Sequence, residues 1–274
     1  MFHTTKRHIL YKNRLVKLLV PITLLCVLGI SSLVGCTPDH PMSTFDAKGP
    51  VAERQLSLFM MILWVATAVF VVVGGGLLYT IIRFRDKGDG VKPEQTHGNT
   101  KLEITWTIIP SIMLAIVAVP TIISQFYISS PPDGEDIRIN VDANQWWWEI
   151  EYPELGVKTS NEVHVPIDVP VEVTLLSKDV IHAFWVPQIT GKKDMVPGLE
   201  NKIWFTAEQL GTYYGVCVEF CGDSHANMKF KVVAVPENEF NAWLLAQSNP
   251  AMESSDPLVK EGAGVFKSAG CTGC

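Results

Sequence analysis

Charge is what this sequence has little of. Asp, Glu, Lys and Arg make up 18% of its 274 residues, against about 25% in average soluble proteins. An excess of positive charge is lacking too: 22 basic against 28 acidic side chains leave a net charge of −6. Without a basic footprint a nucleic-acid partner is excluded, whereas a basic protein partner is compatible. Nor is there a disulfide framework. Of the six cysteines, Cys26 and Cys36 lie in or beside an apolar leader, and Cys217/Cys221 and Cys271/Cys274 form two short-spaced pairs. Apolar residues stand in place of the missing charge, 47% of the chain, concentrated in its first half.

The start is basic, with Lys6, Arg7, His8, Lys12, Arg14 and Lys17, and an apolar run follows from Leu18 to Val34. A run shorter than a comfortable span, behind a charged n-region, reads as a secretory signal over residues 1–35. Its end, Leu33-Val34-Gly35-Cys36, resembles a bacterial lipobox, in which cleavage leaves Cys36 as a lipidated N-terminus. Residues 36–55 are then an external segment. Two longer apolar segments, Leu56–Ile82 and Ile104–Ile128, each exceed the roughly 20 residues that cross a bilayer. Residues 56–130 are therefore predicted to be a transmembrane hairpin of two helices. Gly74-Gly75-Gly76 allows close helix packing, and Pro110 and Pro120 are expected to bend or interrupt the second helix. The connecting loop holds Arg83, Arg85, Lys87, Lys92 and Lys101, while the stretch from Cys36 to Gln55 has only Lys48 and Arg54. The positive-inside rule puts that loop in the cytoplasm and both flanks outside, which is also the orientation signal cleavage gives.

The texture changes after Ser129-Ser130-Pro131-Pro132. Short alternating or β-branched runs appear at Ile137–Ala143, Trp146–Glu151, Glu162–Val165, Val171–Leu176, Lys202–Thr206, Gly211–Val216 and Met228–Val235, with Gly, Pro, Asn and Asp between them. Strands of this length and spacing predict an all-β sandwich or Greek-key barrel over residues 131–248. A helix is expected after Pro236, with Phe240, Trp243 and Leu244 on one face. Residues 249–274 read as a polar linker and the opening helix of another domain.

The chemistry concentrates in Gly215-Val-Cys217-Val-Glu219-Phe-Cys221-Gly-Asp-Ser-His225-Ala-Asn-Met228. Two thiols, an imidazole and a thioether on one loop form a soft donor set, which selects copper, zinc or iron–sulfur over hard cations. A single blue-copper centre needs one Cys, two His and a weak axial Met; two cysteines here leave room for two copper ions. The second histidine is supplied by Asp179-Val-Ile-His182-Ala-Phe-Trp-Val-Pro187, an apolar, strand-competent run. Taken alone, Cys217 and Cys221 also admit a short-range disulfide or a zinc site, and His182 a buried structural histidine.

The strings Asp179–Pro187 and Cys217–Met228 resemble the CuA motifs of the cytochrome c oxidase subunit II family, the copper-carrying subunit of haem–copper oxidases. The two apolar helices, Gln145-Trp146-Trp147-Trp148 and Glu103-Ile-Thr-Trp106 match that family in the same order, over about residues 50–245. The resemblance implies a two-helix hairpin followed by a cupredoxin-like Greek-key sandwich. It implies two copper ions bridged by Cys217 and Cys221, capped by His182 and His225, with Met228 and the Glu219 carbonyl as weak axial ligands. It also implies magnesium bound by the Glu219 carboxylate at the interface with the catalytic subunit. Trp146 becomes the electron-input residue, and Glu103 the mouth of a K-type proton channel. The implied partners are the catalytic haem–copper subunit I with other oxidase subunits, cytochrome c and membrane lipid. The implied place is the bacterial plasma membrane, with the copper domain on the outer face. Glu149, Glu151, Glu154 and Asp179 are candidates for an acidic docking face.

The last residues, Gly262 to Cys274, resemble the first helix of a class I cytochrome c, in which Cys271 and Cys274 would attach haem c. The expectation is that the chain is part of a longer fusion, since C-x-x-C needs a following histidine. Two other readings stay open: a CuA subunit of a nitric oxide reductase, and a lipid-anchored copper carrier with no oxidase partner. Quinol oxidase relatives lack the copper ligands that are intact here.

Overall fold

A computed structural model describes residues 40–86, 97–134, 136–249 and 254–271, with Gly29 and Gln95 besides. Apart from Gly29, the signal segment lies outside the described residues, as do Cys36 and Cys274.

Helix α1 (Pro50–Arg83) and helix α2 (Thr100–Ser129) form the predicted hairpin. Each starts upstream of its apolar segment for a local reason. Proline opens α1, where its missing N–H costs nothing, and Glu53 faces the positive end of the helix dipole. The Asn99 side chain caps α2 by accepting from Lys101 N and Leu102 N at 3.1 and 3.3 Å. The expected interruption does not occur: α2 is continuous through Pro110 and Pro120. Each proline removes one donor, but within an apolar layer no water competes for the flanking bonds, so the helix persists.

The rest is a sandwich of two five-stranded sheets. One runs β3 (Val157–Ser160), β2 (Trp147–Tyr152), β1 (Ile137–Asn144), β5 (Val171–Ser177), β8 (Asn201–Phe205). The other runs β4 (Glu162–Pro166), β10 (Lys229–Val235), β9 (Gly211–Cys217), β6 (His182–Trp185), β7 (Lys193–Met195). Strict alternation turns one face of each strand inward: Ile139, Val141 and Ala143 from β1 meet Val163 and Val165 from β4 in one core. Strands β3 and β7 were not expected. They are short and mostly polar, and edge positions need little apolar content. Trp146 is not in a strand as expected but in the turn between β1 and β2. Of its neighbours, Trp148 is fully buried and Trp147 is half-buried, as alternation requires.

Helix α3 (Glu237–Ser248) closes the far side of the sandwich, with Trp243 stacked on the His164 ring at 4.4 Å. Helix α4 (Pro257–Ser268) buries no residue. The hairpin is clamped to the sandwich. The Trp204 indole donates to Ile128 O at 3.0 Å and Tyr127 meets the same ring edge-on. Lys48 N donates to Gln188 O at 2.6 Å, and Glu208 N to Lys48 O at 3.0 Å.

Candidate metal centre

Two loops build the site. One joins β5 to β6 and delivers His182 as the first residue of β6; the other runs from Cys217, the last residue of β9, to Lys229, the first of β10. Backbone bonds fix the second loop at its base. Cys217 N donates to Met228 O at 3.0 Å, and Val218 N to Ala183 O at 3.2 Å, bringing the loop beside β6. Phe230 supports it from the core, with its ring 4.6 Å from Phe184 and 5.0 Å from Trp148. Gly215 makes room for that ring, since a Cβ there would lie 2.2 Å from it.

The donor atoms converge on a pair of sulfurs. Cys217 Sγ and Cys221 Sγ are 3.9 Å apart, against about 2.05 Å in a disulfide, so the two thiols are not bonded to each other. Nδ1 of His182 is 3.9 Å from the first sulfur, and Nδ1 of His225 is 3.5 Å from the second. Met228 Sδ lies 3.7 Å from Cys221 Sγ, and the Glu219 carbonyl 3.1 Å from Cys217 Sγ. Among the described residues, His182, Cys217 and Cys221 place their donor atoms within 4.8 Å of one another, all three buried. A cavity of about 480 Å³ lies elsewhere, between Phe45, Phe59 and Trp185, and contains none of these side chains in its wall.

Electrostatics make this a site for a cation. Burial disfavours both thiolates. At Cys217 burial is the largest single influence, but the His182 ring, the backbone at Ala183 and Glu219, and the Cys221 thiol together outweigh it, and the pKa falls to about 6. At Cys221 burial and the neighbouring Cys217 charge act together and push the pKa up to about 12. A thiol binds a metal ion as the thiolate, so a cation held here would displace the thiol protons. The soft donor set fits copper.

Around the donors stand residues that the sequence did not single out for this role. Asp179 Oδ1 meets His182 Nε2 at 2.7 Å, leaving Nδ1 toward the sulfur, a common way to orient a metal-binding imidazole. Partial burial pushes the Asp179 carboxyl up, but the His182 ring and the N–H groups of Val180 and Gln145 hold it below the usual carboxylate range. The candidate acidic face is divided accordingly. Asp179 turns to the site, Glu149 and Glu151 each lie 3.4 Å from Lys158, and Glu154 lies 3.7 Å from Arg138. The spacing Asp-x-x-His was a visible cue for Asp179; Gln145 stood in the Gln145–Trp148 string, but nothing in the sequence marked its role beside the site.

Trp146 sits over the metal loop, 37% exposed, and its indole donates to Cys221 O at 3.2 Å. Glu103 is exposed in the first turn of α2, remote in sequence and fold from the sulfurs. The Glu219 side chain is exposed while its carbonyl faces the site. Cys271 is exposed just beyond α4.

Residues 154–235 match the family described as cytochrome c oxidase subunit II, periplasmic domain, and residues 40–123 its transmembrane domain. The cytochrome c oxidase subunit 2 of Alkalihalophilus pseudofirmus is 38% identical over 248 residues, covering 88% of this chain and 72% of the relative. That of Bacillus subtilis is 36% identical over 281 residues, covering 95% and 76%. A quinol oxidase subunit 2 from Bacillus spizizenii is 32% identical over 246 residues, covering 86% and 75%. Among solved structures, the periplasmic domain of subunit II of cytochrome oxidase from Bradyrhizobium japonicum is similar. It is 30% identical, with a TM-score of 0.41, and covers 44% of this chain and 97% of that one.

Proposed function

The chain belongs to the cytochrome c oxidase subunit II family, and on that premise we propose that it is the electron-accepting subunit of a haem–copper terminal oxidase. One observation carries the reading: two buried thiols 3.9 Å apart, with one imidazole Nδ1 facing each sulfur. Cys217, Cys221, His182, His225, Met228 and the Glu219 carbonyl would together hold two copper ions. Copper so held supplies a one-electron carrier whose geometry changes little between redox states. The protein's part is to keep that geometry still. The loop is tied at its base to β6 and β10, His182 is oriented by Asp179, and Phe184, Phe230 and Trp148 exclude water beneath the sulfurs. An intact donor set favours a cytochrome donor over a quinol.

Finer assignments follow from the same reading. Trp146 receives the electron from cytochrome c, because its exposed ring is one hydrogen bond from Cys221. The electron then passes to haem in catalytic subunit I, where oxygen is reduced and protons are pumped. Glu103 admits protons at the inner end of α2, and the Glu219 carboxylate binds magnesium shared with that subunit. The sandwich faces the outside of a bacterial plasma membrane, which the basic loop between the helices supports. Cys36 carries lipid, and Cys271 with Cys274 are the pair that would attach haem c.

Electron paramagnetic resonance of the copper-loaded chain tests the central claim. Hyperfine structure from one electron shared equally by two copper nuclei is expected. A spectrum from one nucleus would favour a copper carrier, and no signal with Cys217 disulfide-bonded to Cys221 would remove the reading. Trp146→Phe is expected to slow electron input from cytochrome c with an unchanged copper spectrum, and Glu103→Gln to lower turnover with the copper untouched.

A further inference from the structure

Among the described residues outside the donor set, Gln145 hydrogen-bonds to both ligand-bearing loops. The Gln145 backbone N–H donates to Asp179 Oδ2 at 2.7 Å, and its side-chain Nε2 donates to Cys221 O at 2.7 Å. Asp179 in turn holds His182 Nε2 with its other oxygen, at 2.7 Å. A continuous path therefore runs His182–Asp179–Gln145–Cys221 and joins the imidazole of His182 to the backbone carbonyl of Cys221 on the other loop. Its midpoint belongs to the turn between β1 and β2, in the sheet opposite β6 and β9. The side chains of the turn lie close against residue 222. A Cβ on Gly222 would come within 3.0 Å of Gln145 Nε2 and 3.2 Å of the Trp146 ring, and its φ of +115° already favours glycine.

We propose that Gln145 is a positioning residue of the metal centre: its two hydrogen bonds clasp the His182 loop to the Cys221 loop and hold the donors at binding distance before metal arrives. The role rests on the copper reading above. The ordering entropy of two loops is met during folding of the sandwich rather than at metal binding, so affinity rises with preorganisation. Loss of the side-chain donor leaves Cys221 O with the weaker, longer bond from Trp146 at 3.2 Å. The loop survives, but its position relative to His182 is no longer fixed.

The full chain in detergent, loaded with copper, tests this in the wild-type protein and in Gln145→Met, which keeps the side-chain length and loses the donor. The rate of copper loss to excess chelator, the copper hyperfine splitting and the melting temperature of the copper-free chain are measured together. Copper is expected to leave Gln145→Met about ten- to hundred-fold faster, the usual penalty for losing a partner of the ligand shell, with altered hyperfine splitting and an unchanged copper-free melting temperature. Gln145→Leu, which also lacks the donor, is expected to move loss rate and splitting in the same direction, and it decides the matter if Gln145→Met fails to fold. Loss rates and splitting equal to wild type would overturn the clasp. So would faster loss accompanied by a proportionate drop in copper-free stability, which is what a merely structural residue gives. A single-copper spectrum in the wild-type protein would instead overturn the two-copper reading, and the ratio of loss rates would still decide the role of Gln145.

Discussion

The two halves of the molecule treat apolar side chains in opposite ways. In α1 only Val51 and Ala52 are buried, and in α2 only Ser124; Phe70 and Phe126 stand about three-quarters exposed, at 76% and 75%. In the sandwich Trp148, Tyr152, Phe184 and Phe205 are sealed at 0% exposure. The hairpin satisfies its own backbone and leaves its side chains for lipid or a neighbouring chain, whereas the sandwich makes its own core and needs no neighbour for it. The metal site is built on the second kind of structure. Loops resting on close-packed rings hold donor atoms still, and stillness is what electron transfer asks of them.

The largest expected effect separates the halves by chemistry. Cys221→Ser and Cys217→Ser should each abolish the shared-electron copper spectrum, while Phe70→Ala leaves it intact; a shared spectrum surviving in either serine variant would mean that the sulfurs do not bridge. Next comes truncation of an equivalent ring in each half. Trp148→Ala should cost about 3–5 kcal/mol in urea unfolding of the sandwich. Phe70→Ala should stay within roughly 0.5 kcal/mol in detergent, and equal losses would erase the distinction. A charge sharpens the contrast from the other side. Leu114→Arg, at a 70% exposed position in α2, should cost roughly 2.5–3.5 kcal/mol of membrane insertion, visible as chain released by alkaline extraction. Tyr214→Lys, at a half-exposed position of the sandwich, should be retained with the membrane.

The smallest effect lies under α3. Partial burial raises the Glu162 pKa, yet Lys231 and His164, at 2.6 and 2.5 Å, hold it below the usual 4.5. A carboxyl whose folded pKa is depressed stabilises the fold above its unfolded value and loses that contribution as pH falls through the folded one. Glu162→Gln should therefore lower the melting temperature slightly at neutral pH, and the gap should close as pH drops below 4.5. A gap that widened in acid would reverse the assignment.

Much of the donor set was legible because it is compact: Cys217, Glu219, Cys221, His225 and Met228 share one loop, and His182 sits in a run of unmistakable strand character. The partners of that set were not. Gln145, Asp179 and Cys221 are distant in sequence, and only the arrangement of β1, β2, β5, β6 and β9 makes them neighbours. The short edge strands β3 and β7 escaped notice for a related reason. Their residues are polar, and what makes them strands is the partner already in place.

The sequence by itself determined the two apolar helices, the alternating strands and the chemistry of the donors, because each depends on residue type and spacing along the chain. Only the tertiary structure decided that α2 runs unbroken through its prolines and that Trp146 lies in a turn against Cys221. It alone decided that Asp179 reaches the ring of His182. Those outcomes depend on which groups are left to compete for a hydrogen bond once distant segments have met, and no local pattern records that.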